Sequence, residues 1–210
     1  MSVTIIIIII TVFVTWRAWQ DRQFQEHLLF VPAAIKERGE YYRFISSGFI
    51  HSGTWHLFFN MYAFWIFGQV AESTFAAMFG PTFGQPAMLV FYLVSIIAAN
   101  LADYYRHQDN YAYRALGASG GVAAMLWPFV LIAPWNWFLF PPMPAVILGP
   151  AYIAYSYYMD KRGRDNIGHS AHLWGAVFGL IAYVLLALAL EPGLIALFLE
   201  RVAQPQWPAY

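Results

Sequence analysis

The chain carries six apolar segments, at about 3–19, 52–71, 86–105, 117–135, 141–159 and 168–190, each near the roughly twenty residues that a hydrocarbon crossing demands. Lipid offers no water to the backbone, so such segments must be helices that satisfy their own hydrogen bonds. The expected fold class is therefore all-α: a polytopic membrane protein built as a bundle of six transmembrane helices. Composition points the same way. Of the 210 residues 60% are apolar, 20% aromatic and only 10% charged, which would leave a soluble globule with far too much apolar surface in water. Zero net formal charge and scattered Lys and Arg exclude a nucleic-acid partner, which calls for a concentrated basic patch. The absence of cysteine excludes disulfides, thiolate metal sites and a Cys nucleophile.

One domain is expected over 1–210: a first helix at 1–19, an interfacial first loop at 20–51, helices two to six over 52–190, and a short tail at 191–210. The run from Val3 to Trp16 has no basic residue before it and no small-residue cleavage site, which predicts a retained helix and not a removed signal. Gln20 to Ser47 holds most of the charge, interleaved with Phe24, Leu28, Phe30, Ile35 and Tyr41, and reads as a structured loop lying on the membrane. Thr82 to Pro86 is punctuated by Gly and Pro and reads as a turn. Leu194 to Leu199, followed by Glu200 and Arg201, reads as a short amphipathic surface helix.

In a serial six-helix bundle the second, fourth and sixth helices run in the same direction, so their N-terminal ends share one side of the membrane. His56 and Asn60 stand near the start of the second, Ser119 at the start of the fourth, and His172 near the start of the sixth. Polar side chains in a membrane helix are costly and mark function by default. Singly, each has a packing explanation, an interhelical hydrogen bond for His or Asn and mere smallness for Ser; the set of four at one depth carries the chemistry. Small residues frame them: Gly117, Ala118, Gly120, Gly121, Ala123 and Ala124 beside the serine, and Ala171, Gly175 and Gly179 on one stripe of the sixth helix. Such faces let helices approach closely in lipid.

A serine hydroxyl becomes a nucleophile when a base takes its proton, and histidine is suited to that near neutral pH. Ser119 with His172 would be a two-member catalytic unit, with no orienting carboxylate evident because Asp103, Asp160 and Asp165 fall in or near loops. His56 and Asn60, four apart on one helical face, together with the backbone N–H groups around Ala118 and Ser119, could hold the oxyanion of a tetrahedral intermediate.

The strings His51-Ser-Gly-Thr-Trp-His56-Leu-Phe-Phe-Asn60, Gly117-Ala-Ser119-Gly120 and Ala171-His172-Leu-Trp-Gly175-Ala-Val-Phe-Gly179 resemble, in order and placement, the three signature blocks of the rhomboid family of intramembrane serine proteases. Tyr42-Arg43 is similar to that family's Trp-Arg pair in the first loop, and Gly68 and Glu72 fall where it has glycine and glutamate on the second helix. The resemblance spans about Tyr41 to Ile181. It implies Ser119 as nucleophile, His172 as general base and then acid, and His56 and Asn60 as oxyanion donors. It implies structural roles for His51, Arg43 and Glu72 in tying the first loop to the bundle. It also implies a short fourth helix opening a wet cavity, a gate formed by helix five and the loop before helix six, no metal or organic cofactor, transmembrane proteins as substrates, and the compact bacterial inner-membrane form. Helix five carries Pro141, Pro142, Pro144, Gly149 and Pro150, which suits a mobile element.

Two features depart from the pattern. Many relatives have an aromatic residue four positions after the nucleophile, against which the imidazole packs; here it is Ala123, so Trp174 or a helix-five tyrosine is expected to hold His172. Ten of the eleven Lys and Arg residues also fall in or beside the first, third and fifth connections, on the side of the site. The charge rule would put that side in the cytoplasm, whereas bacterial relatives open outward. The alternative function is a catalytically inactive relative that binds or escorts membrane proteins. A metal site from His51, His56, His169 and His172 is disfavoured by pair spacings of five and three with no carboxylate beside them.

Overall fold

The structure, a computed structural model, describes residues 2–138, 141–163 and 168–206. Among these the helices are α1 (Val3–Gln20), α2 (Arg22–Leu28), α3 (Pro32–Arg38), α4 (Arg43–Ser46), α5 (Thr54–His107), α6 (Ser119–Ile132), α7 (Ala145–Arg162), α8 (His169–Leu190) and α9 (Gly193–Val202). A two-stranded antiparallel ribbon, β1 (Trp137–Phe138) with β2 (Met143–Pro144), precedes α7, so the first residues of the segment expected as helix from 141 are strand instead. The molecule is an all-α membrane bundle.

Two of the six expected segments merge in α5. Its 54 residues are interrupted by one left-handed residue, Gly80, at φ 77° and ψ 167°, a conformation open to glycine and closed to most side chains. The chain reverses there: a β-carbon at Gly84 would lie 2.6 Å from the Ala76 α-carbon, and the Phe64 and Tyr92 rings meet at 4.8 Å. The turn therefore sits at Gly80-Pro81, upstream of the expected Thr82–Pro86, because Pro81 suits the first position of a new helix.

By length and composition α1, α5 and α8 are apolar enough to cross a membrane. α6 has only 14 residues, short of the roughly twenty a crossing takes. Every residue from Gly120 to Leu131 is buried, so α6 is a central post jacketed by the other helices. α7 meets neither its expected irregularity nor the apolar criterion. It is continuous from Ala145 to Arg162 with only Pro150 inside it, Pro141, Pro142 and Pro144 all preceding it.

The isoleucine-rich α1 buries Thr4, Ile7, Thr11, Thr15 and Ala18, a stripe at helical spacing, and turns Ile5, Ile9, Ile10 and Phe13 outward to lipid. It runs antiparallel to the first arm of α5: a β-carbon at Gly68 would strike Thr4 at 2.6 Å, and at the other end Thr15 Oγ1 lies 3.2 Å from His51 Nδ1. The first loop is indeed structured, as α2, α3, α4 and a 3-10 turn at Ser47–Phe49.

Candidate active site

The segment that leads into Ser119 is held from the first-loop side by four hydrogen bonds. Phe30 and Ala115 exchange two backbone bonds at 3.0 and 3.1 Å, the Gly117 N–H donates to Ser47 O at 2.9 Å, and the Ala118 N–H donates to His51 Nε2 at 3.2 Å. Gly117 adopts φ 125°, and a β-carbon there would lie 2.8 Å from the His56 ring and 3.9 Å from Ser119 Oγ. One small volume at Gly117 thus separates His56 from the serine hydroxyl. Only glycine satisfies both the backbone and the space.

His51 is wholly buried. Because its Nε2 accepts from Ala118, its proton sits on Nδ1, which faces Thr15 Oγ1; that hydroxyl in turn donates to Phe49 O at 3.1 Å. Trp19 Nε1 donates to His51 O at 2.7 Å. Burial, reinforced by the neighbouring His56, pushes the His51 imidazole down to about 3, so it works neutral. Its contacts join α1, the first loop and the start of α6. The same bond corrects another expectation: the Ala118 N–H, anticipated as an oxyanion donor, is directed to His51.

His56 Nδ1 lies 3.1 Å from Ser52 Oγ. With Ser52 donating, the ring proton resides on Nε2, the nitrogen beside Gly117 and Ser119. Asn60, 8% exposed, spends one amide hydrogen on His56 O at 2.9 Å, which leaves its second hydrogen for a ligand. Ser52 was not singled out in the sequence, since a serine in a loop has no distinguishing pattern.

α6 and α8 meet backbone to backbone. A β-carbon at Gly175 would lie 2.2 Å from Gly120 O, one at Gly179 would lie 2.4 Å from the Ala124 α-carbon, and one at Gly120 would lie 3.3 Å from Ala171 O. Both contact series rise together, so the helices run parallel, and Trp127 Nε1 fastens them by donating to Ala176 O at 2.7 Å. Ser119 adjoins Gly120 and His172 adjoins Ala171, which meet each other in this contact, and both Ser119 and His172 are half-buried.

The His172 ring stacks on Tyr152 of α7, with centroids 5.9 Å apart and planes at 25°. Trp174, the other expected support, is 42% exposed and faces outward, while Ala123 is buried in α6. Of the candidate carboxylates, Asp103 accepts from Tyr113 Oη at 3.0 Å and Asp160 forms a two-pronged pair with Arg106 at 3.0 and 3.3 Å. Asp165 lies outside the described residues, as does most of the connection before α8.

Arg43 is 5% exposed and binds the first loop to itself, donating to Glu26 O and Leu29 O at 2.8 Å each and to Glu40 at 2.5 Å. Arg38 and Arg43 together hold the Glu40 carboxyl down to about 2. Glu72 does something other than expected. It accepts from Ser2 Oγ at 2.5 Å and from the Thr4 N–H at 2.7 Å, so it anchors the start of α1, far from the first loop. A carboxylate there meets the free N–H groups of a helix N-terminus. Several of the basic residues on the site's side are paired, Arg17 with Asp21, Lys36 with Asp109 and Arg114 with Glu26.

Residues 38–189 match the family model of the rhomboid domain. The chain belongs to the rhomboid family. It is 28% identical over 190 residues to RHOMBOID-like protein 12, mitochondrial, of Arabidopsis thaliana, an alignment covering 82% of this chain and 54% of that protein; the chain thus spans about half that relative's length. It is also 28% identical over 156 residues to rhomboid protease GlpG of Haemophilus influenzae, covering 74% of each. The matched region of this rhomboid contains His51, His56, Asn60, Ser119 and His172, as well as the α6–α8 contact.

Proposed function

We propose that this rhomboid is an intramembrane serine endopeptidase that cleaves peptide bonds in or near the transmembrane segments of other membrane proteins, in a bacterial inner membrane. Ser119 Oγ attacks the scissile carbonyl while His172 takes its proton; the oxyanion is met by His56 Nε2–H and the spare amide hydrogen of Asn60. Collapse expels the amine, which takes the proton back from His172. Water then hydrolyses the acyl-enzyme by the same route in reverse. Ser119's own N–H, at a helix start without an intrahelical partner, is a third donor. Donors of this kind are worth about 3 to 4 kcal/mol each in the transition state. Substrate helices must be locally unwound, because their internal hydrogen bonds shield the carbonyls.

The observation that supports this reading is the glycine-mediated contact of α6 with α8, in which Gly120, next to Ser119, meets Ala171, next to His172. A fluorophosphonate probe should label the wild type, and Ser119→Ala should abolish labelling. Cleavage of a reporter with one membrane span should be lost in His172→Ala. A wild type that neither labels nor cleaves would overturn the reading in favour of a binding relative.

A further inference from the structure

A general base that works through one ring nitrogen has to be held within about 10–20° of the productive geometry. Two rings meet His172: His169 of its own helix stands edge-on at 82°, whereas Tyr152 of α7 lies near-parallel at 25°. We infer that Tyr152 is the positioning residue for the His172 base, so that α7, an otherwise peripheral helix, sets how the base is aimed. This inference rests on the Ser119–His172 reading above.

Three observations support it. The Tyr152–His172 rings are near-parallel and offset, with centroids 5.9 Å apart and planes at 25°, so rotation of the imidazole about its side-chain bonds changes this contact. It is one rung of two: Tyr155 meets His169 edge-on at 5.8 Å, and His169 meets His172 at 5.8 Å. Tyr152 and Tyr155 are three apart on α7, as His169 and His172 are on α8, so each pair shares a helix face. Finally, α7 is fixed on both sides of Tyr152. One turn before it, a β-carbon at Gly149 would lie 2.9 Å from the Trp127 ring of α6. Two turns after it, Asp160 pairs with Arg106 of α5. Displacing α7 from this seat withdraws the ring from the base.

The test compares Tyr152→Phe, which keeps the ring, with Tyr152→Leu, which keeps the bulk and loses the face. A positioned general base contributes about 10²–10⁴-fold, so Leu should lower kcat for the single-span reporter and the fluorophosphonate labelling rate by about tenfold or more, with KM unchanged. Phe should restore both to near the wild-type values. In parallel, NMR of histidine-labelled protein should show a ring-current shift on His172 in the wild type and Phe forms that disappears in Leu. Equal rates in all three forms, or equal losses in Phe and Leu, would overturn the role of Tyr152 while leaving the dyad standing. A wild type that shows the ring-current shift but never labels would refute the protease reading and the positioning role with it.

Discussion

Gly175→Ala tests the α6–α8 contact most directly. The added methyl carbon would start 2.2 Å from Gly120 O and 2.8 Å from the Gly120 α-carbon, both backbone atoms that cannot rotate aside. A carbon–oxygen contact relaxes only at about 3.3 Å, so the helices must part by about 1 Å. Overpacking of that kind costs about 1–3 kcal/mol. The larger consequence is geometric. His172 lies one turn before Gly175 and Ser119 adjoins Gly120, so the separation falls on the proposed dyad, where 1 Å of misplacement can cost about 100-fold in rate. The assay is fluorophosphonate labelling and reporter cleavage alongside thermal unfolding in detergent. Ile181→Ala, on the lipid face of the same helix at 55% exposure, serves as the control and should leave labelling unchanged. A Gly175→Ala protein that labels at the wild-type rate with an unchanged Tm would refute the claim that close approach of these helices builds the site.

Acidification should destabilise the protein through His51. Its folded value of about 3 lies below the ordinary 6.5, so between those values the unfolded chain binds a proton that the folded chain does not. This contribution is fully present above pH 6.5 and falls by about 1.4 kcal/mol per pH unit below it; His51→Gln, which keeps an acceptor for Ala118, should flatten the dependence of Tm between pH 7.5 and 5, and an unflattened curve would count against it. Arg43→Ala strands the Glu26 and Leu29 carbonyls and should cost about 3 kcal/mol, with Lys recovering little because it lacks the planar fork; full recovery by Lys would contradict the geometry. Glu72→Ala should loosen the start of α1, seen as faster hydrogen exchange over residues 3–8, whereas Glu72→Gln retains an acceptor and should stay close to the wild type.

Much of this was written plainly in the chain. Apolar length announced the helices, and the shared direction of alternate helices gave the expectation that His56, Asn60, Ser119 and His172 gather at one end of the bundle. The Ala171, Gly175, Gly179 stripe foretold the face of α8 that meets α6. Other features were hidden for identifiable reasons. The isoleucine run of α1 showed no apolar periodicity because its inward stripe is marked by Thr4, Thr11 and Thr15, polar residues that hydropathy counts against burial. The destination of Glu72 was invisible because its partners, Ser2 and Thr4, lie about 70 residues away. Ala118 looked available as a donor until His51 was seen to claim its N–H. Tyr152 is one of several tyrosines on α7, and only the helix rotation separates the one that meets His172 from those that face outward.

The burial of α6 on every side has a consequence for how the protein sits in different membranes. Its outer helices must adjust their tilt to whatever bilayer surrounds them, but the post that lifts Ser119 touches protein alone and is referenced to His51 and Ser47 above it. A thinner or thicker membrane shifts the rim of the molecule and leaves the height of the serine above its own foundations unchanged.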